Sequence, residues 1–371
     1  MRHIRIIHAA DFHLDSPFEG LSAAKASVRR GEQRDLLAAL VKLAADEEVD
    51  LMLLSGDLLD SETSYRETGE ALVAALSEAP CPVFIAPGNH DYYNGRSVYA
   101  RLKLPEQVRV FTKNSIHFYS VPGCDARVYG AAFTDRHSAP LLRGFQAERK
   151  AGIYNLLCMH GEVGNSASLY NPITVEDLAA SGMDYVALGH IHQASGLLKS
   201  GSTWYSWPGC PEGRGFDETG EKTVNLVTLE GTSATLEARS IARRHYHSMV
   251  LDVSGKDPLL LIHTSLPEDP SEDIYRITLT GSTEHSPDLL RLHQNLDGMF
   301  FSLRLEDRTS PPADIWESAG TDTLRGLFLS KLRARYDAAQ DDEQKMRIEQ
   351  AVRWGLAALD NAEEVVVHGH P

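Results

Sequence analysis

Five short clusters of aspartate, asparagine and histidine lie within the first 192 residues, and most of them directly follow an apolar run. Their polar residues are Asp11 and His13, Asp57 and Asp60, Asn89, His90 and Asp91, His160, and His190 and His192. Carboxylate oxygen combined with imidazole nitrogen suits Mn²⁺, Fe²⁺ or Zn²⁺, whereas the lack of cysteine in the clusters disfavours a structural zinc site. The residue types therefore predict a metal centre.

The number of candidate ligands is right for two metal ions. Two ions ~3.5–4 Å apart share a carboxylate and a water, lower the pKa of that water, and clamp the oxygens of an in-line phosphoryl displacement. We therefore expect two divalent ions, with Mn²⁺ preferred and Fe²⁺ or Zn²⁺ as alternatives, and hydrolysis of a phosphoester.

Each cluster taken alone also fits a structural role. Asp11 and His13 could cap a strand end, GD and GNHD are common turn sequences, and GHIH could be a surface loop. A shared site is favoured because all five clusters occur in order, each at a predicted strand end.

The runs that precede the clusters predict buried strands, and amphipathic stretches around Leu36–Leu43 and Leu72–Leu76 predict helices between them. This alternation is typical of an α/β architecture. Ligands of open α/β sheets bind outside the carboxyl ends of the strands, so distant clusters can converge. The predicted strands are Ile4–Ala9, Leu51–Ser55, Val83–Ala86, Ile153–Met159 and Tyr185–Leu188.

Further strands are predicted on both sides of the Gly-rich turn GCPEGRGFDETGEK, where Thr203–Trp207 and Val224–Leu229 are expected to form a pair. The stretch Ile116–Phe133 lacks a helical period, and we expect a hairpin or meander in the same sheet.

The pattern changes after about Ser240, and we expect three parts: a phosphoesterase domain at 1–240, a small α+β domain at 241–310 and a helical segment at 311–371. A linker is expected at Pro311–Pro312. The expected elements are exposed strands at His247–Val253, Tyr275–Thr280 and Phe300–Leu305, and helices at Pro287–Asn295, Thr323–Tyr336 and Asp342–Leu359.

Composition excludes several classes of protein. Hydrophobic residues make up 42% of the 371 residues, enough to bury a large core and too many for a disordered chain. The four cysteines are scattered without a CxxC pair, which fits a reducing compartment. No apolar run reaches the ~18 residues of a membrane span, and no signal-peptide pattern is present. We therefore expect a cytoplasmic protein without a membrane partner.

The ordered motifs D-x-H, GD-x-x-D, GNHD, H and GHxH resemble the calcineurin-like metallophosphoesterase superfamily over about residues 1–230. The resemblance implies a two-sheet α/β sandwich flanked by helices, with a binuclear metal centre. It also implies a division of the ligands in which Asp57 bridges both ions, Asp11, His13 and His192 hold one, and Asn89, His160 and His190 hold the other.

The same resemblance gives His90 a role outside the ligand set, as the residue that stabilises or protonates the leaving oxygen. Asp60 would orient His90 by a hydrogen bond, although some nuclease relatives carry histidine at this position. Asp91 is expected to cap the following helix.

The opening HAADFHLDSPFEG, the GDLLD sequence and the Gly-rich turn look like the SbcD/YhaO-type DNA-repair exonuclease branch. That branch implies a DNA exonuclease or endonuclease in which a metal-bridging hydroxide attacks phosphorus and His90 assists the departing oxygen. It also implies a capping domain that shapes the approach of DNA, and C-terminal helices that attach to an SMC-like ATPase.

Three groups of residues are weaker candidates for substrate binding. Arg214, in the Gly-rich turn, would clamp a phosphate. Tyr92 and Tyr93 would stack on a base or sugar, or else pack against their own loop. The remaining candidates would contact phosphates or form solvated, ion-paired faces: Arg29, Arg30, Arg34, Arg243, Arg244, His245 and His247.

The C-terminal helices carry an apolar stripe that would bind a partner, pack on its own domain or form a homodimer. The stripe consists of Leu324, Leu327, Phe328, Ile348, Val352, Leu356 and Leu359.

Two other functions compete with the nuclease. The net charge of −16 argues against bulk binding of nucleic acid and favours a phosphodiesterase acting on small nucleotides or other small phosphodiesters. Ligand carboxylates are neutralised by metals, however, and an acidic protein can carry a local basic groove. A non-catalytic interaction scaffold is disfavoured because every ligand position and His90 are filled.

Overall fold

The computed structural model describes residues 3–121, 123–283 and 285–359, so residues 360–371 of the predicted helical segment lie outside the described part. The chain divides between His245 and Tyr246 into two units, and each has its own hydrophobic core. The expected division into three parts, at 240 and 310, stays a prediction.

The first unit contains two six-stranded sheets and a short strand pair. Its strands are β1 (Ile4–Ala9), β2 (Leu51–Leu54), β3 (Val83–Ile85), β4 (Val108–Val110), β5 (His117–Ser120), β6 (Ala126–Gly130), β7 (Tyr154–His160), β8 (Glu162–Val163), β9 (Pro172–Ile173), β10 (Tyr185–Gly189), β11 (Leu198–Ser200), β12 (Thr203–Ser206), β13 (Val224–Glu230) and β14 (Ser233–Arg239). Its helices are α1 (Ala23–Asp46), α2 (Arg66–Ser77), α3 (Val98–Arg101) and α4 (Val175–Ala180).

The first sheet has the order β14-β13-β1-β2-β3-β4, in which β1 to β4 run parallel to one another and β13 is antiparallel to both β1 and β14. The second has the order β11-β12-β10-β7-β6-β5, with a parallel centre of β12, β10, β7 and β6. This arrangement confirms the predicted α/β sandwich. The hairpin of β5 and β6 confirms the prediction for Ile116–Phe133.

One core lies between the sheets, where Ile6 and Leu53 pack in the same cluster as Leu156 and Ala187. A second core joins the other face of the first sheet to α1 and α2. The central strands are thus buried on both faces, which explains why they read as continuous apolar runs rather than alternating ones.

The predicted pairing of Thr203–Trp207 with Val224–Leu229 is wrong. Both segments form strands, but β12 pairs with β10 and β11, and β13 pairs with β1 and β14. The Gly-rich segment between them crosses from one sheet to the other, and its length, far greater than that of a hairpin turn, allows it to do so.

The second unit is built on a parallel sheet in the order β15-β16-β17. Its elements are β15 (Tyr246–Asp252), α5 (Pro258–Ser265), β16 (Ile274–Thr280), α6 (Leu289–Asn295), β17 (Ser302–Asp307), α7 (Leu324–Asp337) and α8 (Asp342–Leu359). The expectation of an exposed strand at Tyr275–Thr280 is wrong, because β16 is the central strand and is largely buried. Helix α5 was not predicted.

The C-terminal stripe packs mostly within the α7–α8 pair. Val352 and Leu356 are buried, and Phe328, Ile348 and Leu359 pack against the same cluster. Leu324 and Leu327, at the start of α7, are 70% and 56% exposed. No helix in the described ranges is both long and apolar enough to cross a membrane.

Candidate metal centre

The five polar clusters meet at the carboxyl ends of β1, β2, β3, β7 and β10, and the backbone there adopts an unusual conformation. Asp11, His13, Asp57 and His190 have φ values of 55°, 45°, 51° and 97°. These four make up half of the eight non-glycine residues with positive φ in the part of the chain that the structure describes. Such strain persists only where the surroundings enforce it, and it concentrates at functional sites.

Glycines next to the ligands allow the loops to approach one another. A Cβ atom on Gly88 would overlap the carboxylate of Asp57, and one on Gly189 would overlap the main-chain oxygen of Ser55. The glycines of GD, GNHD and GHIH are therefore required by the space around the site, because only a residue without a side chain fits.

One group of ligand atoms surrounds His160. Its Nδ1 donates to the main-chain oxygen of Ser55 at 2.8 Å, so in the neutral ring the lone pair is on Nε2. That Nε2 lies 3.0 Å from Oδ1 of Asn89 and 3.3 Å from Oδ2 of Asp57. An imidazole nitrogen, an amide oxygen and a carboxylate oxygen that face one another in this way fit a divalent cation.

A second group is formed by His13 and His192, whose Nε2 atoms lie 3.1 Å apart. Nδ1 of His13 lies 3.2 Å from the Asp60 carboxylate, and Nδ1 of His192 lies 2.7 Å from the Glu218 carboxylate. Carboxylates only accept hydrogen bonds, so both Nδ1 atoms carry the hydrogen and both Nε2 lone pairs face inward. Two facing lone pairs repel each other, and a cation between them removes the repulsion.

These two groups form one continuous site. Asp11, His13 and His192 offer ligand atoms within 4.8 Å of one another, as do Asp11, Asp57 and His160. The ring of His190 contacts that of His160 at 5.3 Å between centroids, and its backbone amide donates to the carboxylate of Asp11. All seven residues proposed as ligands are thus brought together, and the division of ligands between two ions stays a prediction.

Burial and charge tune these groups. Burial lowers the pKa of His13 and of His190 to about 4, so both are neutral at pH 7, the form that binds metals. Burial also raises the pKa of Asp11 to about 7. At His160 burial opposes the charged form, but the neighbouring Asp57 carboxylate raises the pKa to about 9. This attraction shows that the site favours positive charge beside Asp57.

His90 lies at the exposed side of this cluster, with its ring 4.7 Å from the ring of His13. Its Nδ1 lies 2.9 Å from the main-chain oxygen of Asp60. The Asp60 carboxylate instead faces His13 and Arg214. The expected hydrogen bond between Asp60 and His90 is therefore present, but it is made by the main-chain oxygen of Asp60 and not by its carboxylate.

The expectation that Asp91 caps the following helix is wrong. Asp91 is buried, and its carboxylate accepts hydrogen bonds from the backbone amides of Gly88, Asp57 and Leu58 at 2.7, 3.2 and 2.8 Å. The hydroxyl of Tyr99 also donates to it. Asp91 therefore holds together the two loops that follow β2 and β3.

The proposed substrate-binding residues lie in different surroundings. Arg214 is half-buried and pairs with Glu218 and Asp60 beside the second group. Tyr93 packs against the core that joins the first sheet to α1 and α2, which agrees with the alternative that it packs on the protein rather than stacking on a base. The nearby Glu62 carboxylate raises the pKa of the Tyr92 hydroxyl.

The basic clusters are largely occupied by ion pairs. Arg29 and Arg244 are buried, and Glu32 pairs with both at 2.9 and 2.6 Å. Arg29 also pairs with Glu212 at 2.7 Å. These two arginines are therefore not available to phosphates, and the ion-paired interpretation holds for them.

Sequence reasoning missed Glu218, the partner of His192. It lies four residues after Arg214 in the Gly-rich turn, and nothing in its spacing from the histidines reveals the contact. Tyr170 was also missed, although its ring contacts that of His190 at 4.8 Å between centroids.

Comparison with known proteins agrees with this geometry. The sequence model of one family, described as calcineurin-like phosphoesterase, matches residues 4–194, a stretch that contains all five clusters. The uncharacterized metallophosphoesterase YhaO of Bacillus subtilis is 30% identical over 245 residues, which cover 63% of this chain and 59% of that protein. This chain thus matches about three fifths of the length of YhaO.

Two further relatives are more distant. The SbcD component of the nuclease SbcCD of Bacillus subtilis is 25% identical over 274 residues, covering 62% of this chain and 68% of that protein. The DNA double-strand break repair protein Mre11 of Methanosarcina mazei is 26% identical over 274 residues, covering 69% of this chain and 41% of that protein.

Proposed function

The chain belongs to the calcineurin-like phosphoesterase family, and we propose that it is a divalent-metal-dependent nuclease of the cytoplasm that hydrolyses phosphodiester bonds of DNA in DNA repair. The observation that carries the proposal is the convergence of ligand atoms, above all the two Nε2 atoms of His13 and His192 that face each other at 3.1 Å.

We assign Asp11, His13 and His192 to one ion and Asn89, His160 and His190 to the other, with Asp57 shared. The preferred ion is Mn²⁺, since the site mixes carboxylate and imidazole without thiolate. Divalent cations held there would lower the pKa of the attacking water and neutralise charge on the phosphoryl oxygens.

His90 supplies the proton for the leaving group. The main-chain oxygen of Asp60 accepts the hydrogen of its Nδ1, so a proton for the departing oxygen would come from Nε2 of the doubly protonated ring, which then becomes neutral. Its exposure leaves this nitrogen accessible to a substrate at the surface of the site.

DNA is the proposed substrate because two relatives are named as part of a nuclease and as a DNA double-strand break repair protein. We further propose that the second unit is the capping domain that shapes the approach of DNA, and that the exposed start of α7 attaches to an SMC-like ATPase. Leu324 and Leu327 would make that contact.

A small nucleotide or another small phosphodiester is the second candidate substrate. It is favoured by the net charge of −16 and by the burial of Arg29 and Arg244 in ion pairs, which removes two cations that DNA phosphates would need.

Degradation of end-labelled linear duplex DNA in Mn²⁺ separates the two candidates. We expect the wild-type chain to degrade DNA, and His90→Ala and Asp57→Ala to be inactive. His263→Ala removes an exposed histidine of α5 and serves as the matched control. The small-diester enzyme would instead be supported if the chain hydrolyses bis-nitrophenyl phosphate but leaves DNA intact. DNA would have to stay intact both with the chain alone and after an SMC-like ATPase is added.

A further inference from the structure

Glu218 and Arg214 compete for the same nitrogen of His192. We propose that Glu218 is a positioning residue that holds His192 in the tautomer able to bind metal, and that Arg214 would favour the other tautomer if Glu218 were lost. The inference rests on the proposed function in one respect, since it takes His192 as a metal ligand.

The geometry of the competition is explicit. Nδ1 of His192 lies 2.7 Å from Oε1 of Glu218 and 3.0 Å from Nη2 of Arg214. The carboxylate can only accept a hydrogen bond, whereas the guanidinium can only donate one. Nδ1 can therefore satisfy Glu218 only when it carries the hydrogen, and Arg214 only when it does not.

The two choices have opposite consequences at the other ring nitrogen. A neutral imidazole carries one hydrogen, so a hydrogen on Nδ1 leaves the lone pair on Nε2, which faces Nε2 of His13. If Arg214 donates to Nδ1, the hydrogen moves to Nε2 and blocks the atom that would bind metal. The partner of Nδ1 therefore decides whether His192 can be a ligand.

Glu218 prevails because it also occupies Arg214. Its side chain is 7% exposed, and its carboxylate accepts hydrogen bonds from the backbone amide, Nε and Nη2 of Arg214 at 2.8, 3.2 and 2.6 Å. Nη2 of Arg214 lies within hydrogen-bond distance of both His192 and Glu218. It bonds preferentially to Glu218, because a hydrogen bond between two opposite charges is stronger than one to a neutral ring.

Asp60 plays the corresponding part at His13. Its carboxylate lies 3.2 Å from Nδ1 of His13 and 3.4 Å from Nη1 of Arg214. Arg214 therefore links the carboxylates behind both imidazoles of this group. This placement indicates a role in ordering the ligands, in contrast to the phosphate clamp that the Gly-rich turn suggested.

The test is a titration of the metal-free, full-length protein with Mn²⁺, monitored by isothermal calorimetry. The variants are Glu218→Gln, Arg214→Met and the double variant. Glu221→Gln removes an exposed acid of the same turn and is the matched control. Thermal unfolding of each metal-free protein establishes that it is folded.

We expect the wild-type chain to bind two Mn²⁺ ions. In Glu218→Gln, binding at one of the two sites should be about 10–100-fold weaker, because this is the usual effect of losing a residue that orients a metal-binding histidine. Arg214→Met keeps Glu218 on Nδ1 and should change the affinity by less than about threefold, because the orienting carboxylate remains. The double variant should recover most of the loss, because the amide oxygen that Glu218→Gln introduces then accepts from Nδ1 without a competitor.

Two results would overturn the inference. One is wild-type affinity in Glu218→Gln; the other is a double variant as weak as Glu218→Gln, which would mean that Glu218 acts without regard to the tautomer. Failure of the proposed function is distinguishable from both, since the wild-type chain itself would then bind no Mn²⁺ or bind it without hydrolysing any phosphodiester.

Discussion

The carboxylate of Asp91 supports the backbone of Asp57 from behind. It accepts the amide hydrogens of Asp57 and Leu58, and it also accepts that of Gly88 in its own loop. The loop after β2 and the loop after β3 are thus fixed to each other at the residue proposed to bridge two metal ions. The left-handed φ of 51° at Asp57 is held in place by this contact.

Asp91→Asn should weaken both the fold and the metal centre. An amide has one acceptor oxygen where the carboxylate has two, so at least one buried amide loses its partner, at a cost of about 1–3 kcal/mol. Chemical unfolding measures the loss, and Mn²⁺ titration measures the effect on the site. Tyr99→Phe removes only one of the hydrogen bonds and should cost less. Equal stability of Asp91→Asn and wild type would contradict this role.

Gly88→Ala should abolish metal binding although it adds only one methyl group. The new Cβ would overlap the Asp57 carboxylate, which must move away from the other ligands. Gly95→Ala is the matched control, since a Cβ there meets nothing within 4 Å. Mn²⁺ titration of both variants checks the prediction, and normal binding by Gly88→Ala would show that the loop has room to shift.

The α/β architecture and the ligand cluster could be predicted from local signals, whereas the two-sheet sandwich followed only from the resemblance to the metallophosphoesterases. Most ligand motifs directly follow a continuous apolar run, as at Asp11 after β1 and Asp57 after β2. Parallel strands then bring such positions to one edge. The inference needed no knowledge of long-range pairing.

The errors arose where the outcome depends on partners that are distant in sequence. The pairing of β13 with β1 joins segments at opposite ends of the first unit, which no local pattern encodes. Glu218 reaches His192 only because the Gly-rich segment folds back to the site. Asp91 is the last residue of the turn motif GNHD, a position compatible with a helix cap, and only the structure shows that it is buried against backbone amides instead.

Mn²⁺ should stabilise the folded chain. A ligand that binds only the folded state adds about 2.7 kcal/mol at a hundredfold excess over Kd. We expect the unfolding midpoint of the metal-free protein to rise with Mn²⁺ concentration, and a chelator to reverse the rise. Asp57→Asn should respond much less because the shared carboxylate is gone. A midpoint that rises equally in Asp57→Asn would place the stabilising ions elsewhere.

Glu32→Gln should destabilise the first unit strongly. Glu32 is buried between Arg29 and Arg244, and its loss leaves two buried guanidinium groups with less compensating charge. Breaking a buried ion pair in this way costs about 3–5 kcal/mol. Glu70→Gln, which removes an exposed partner of Arg66, should cost less than about 1 kcal/mol. Chemical unfolding of the two variants makes the comparison.

The same ion pairs make stability depend on pH. Burial opposes the charged form of Glu32, but hydrogen bonds from Arg244 and Arg29 outweigh it and lower the pKa of this carboxyl below its usual range. A carboxyl whose pKa is lower in the folded than in the unfolded state stabilises the fold above the unfolded pKa of about 4.3, and this stabilisation is lost as the pH falls further. The difference in unfolding free energy between wild type and Glu32→Gln should therefore be constant from about pH 7 to 5 and shrink below about pH 4. A difference that grows on acidification would mean that Glu32 is protonated in the folded protein.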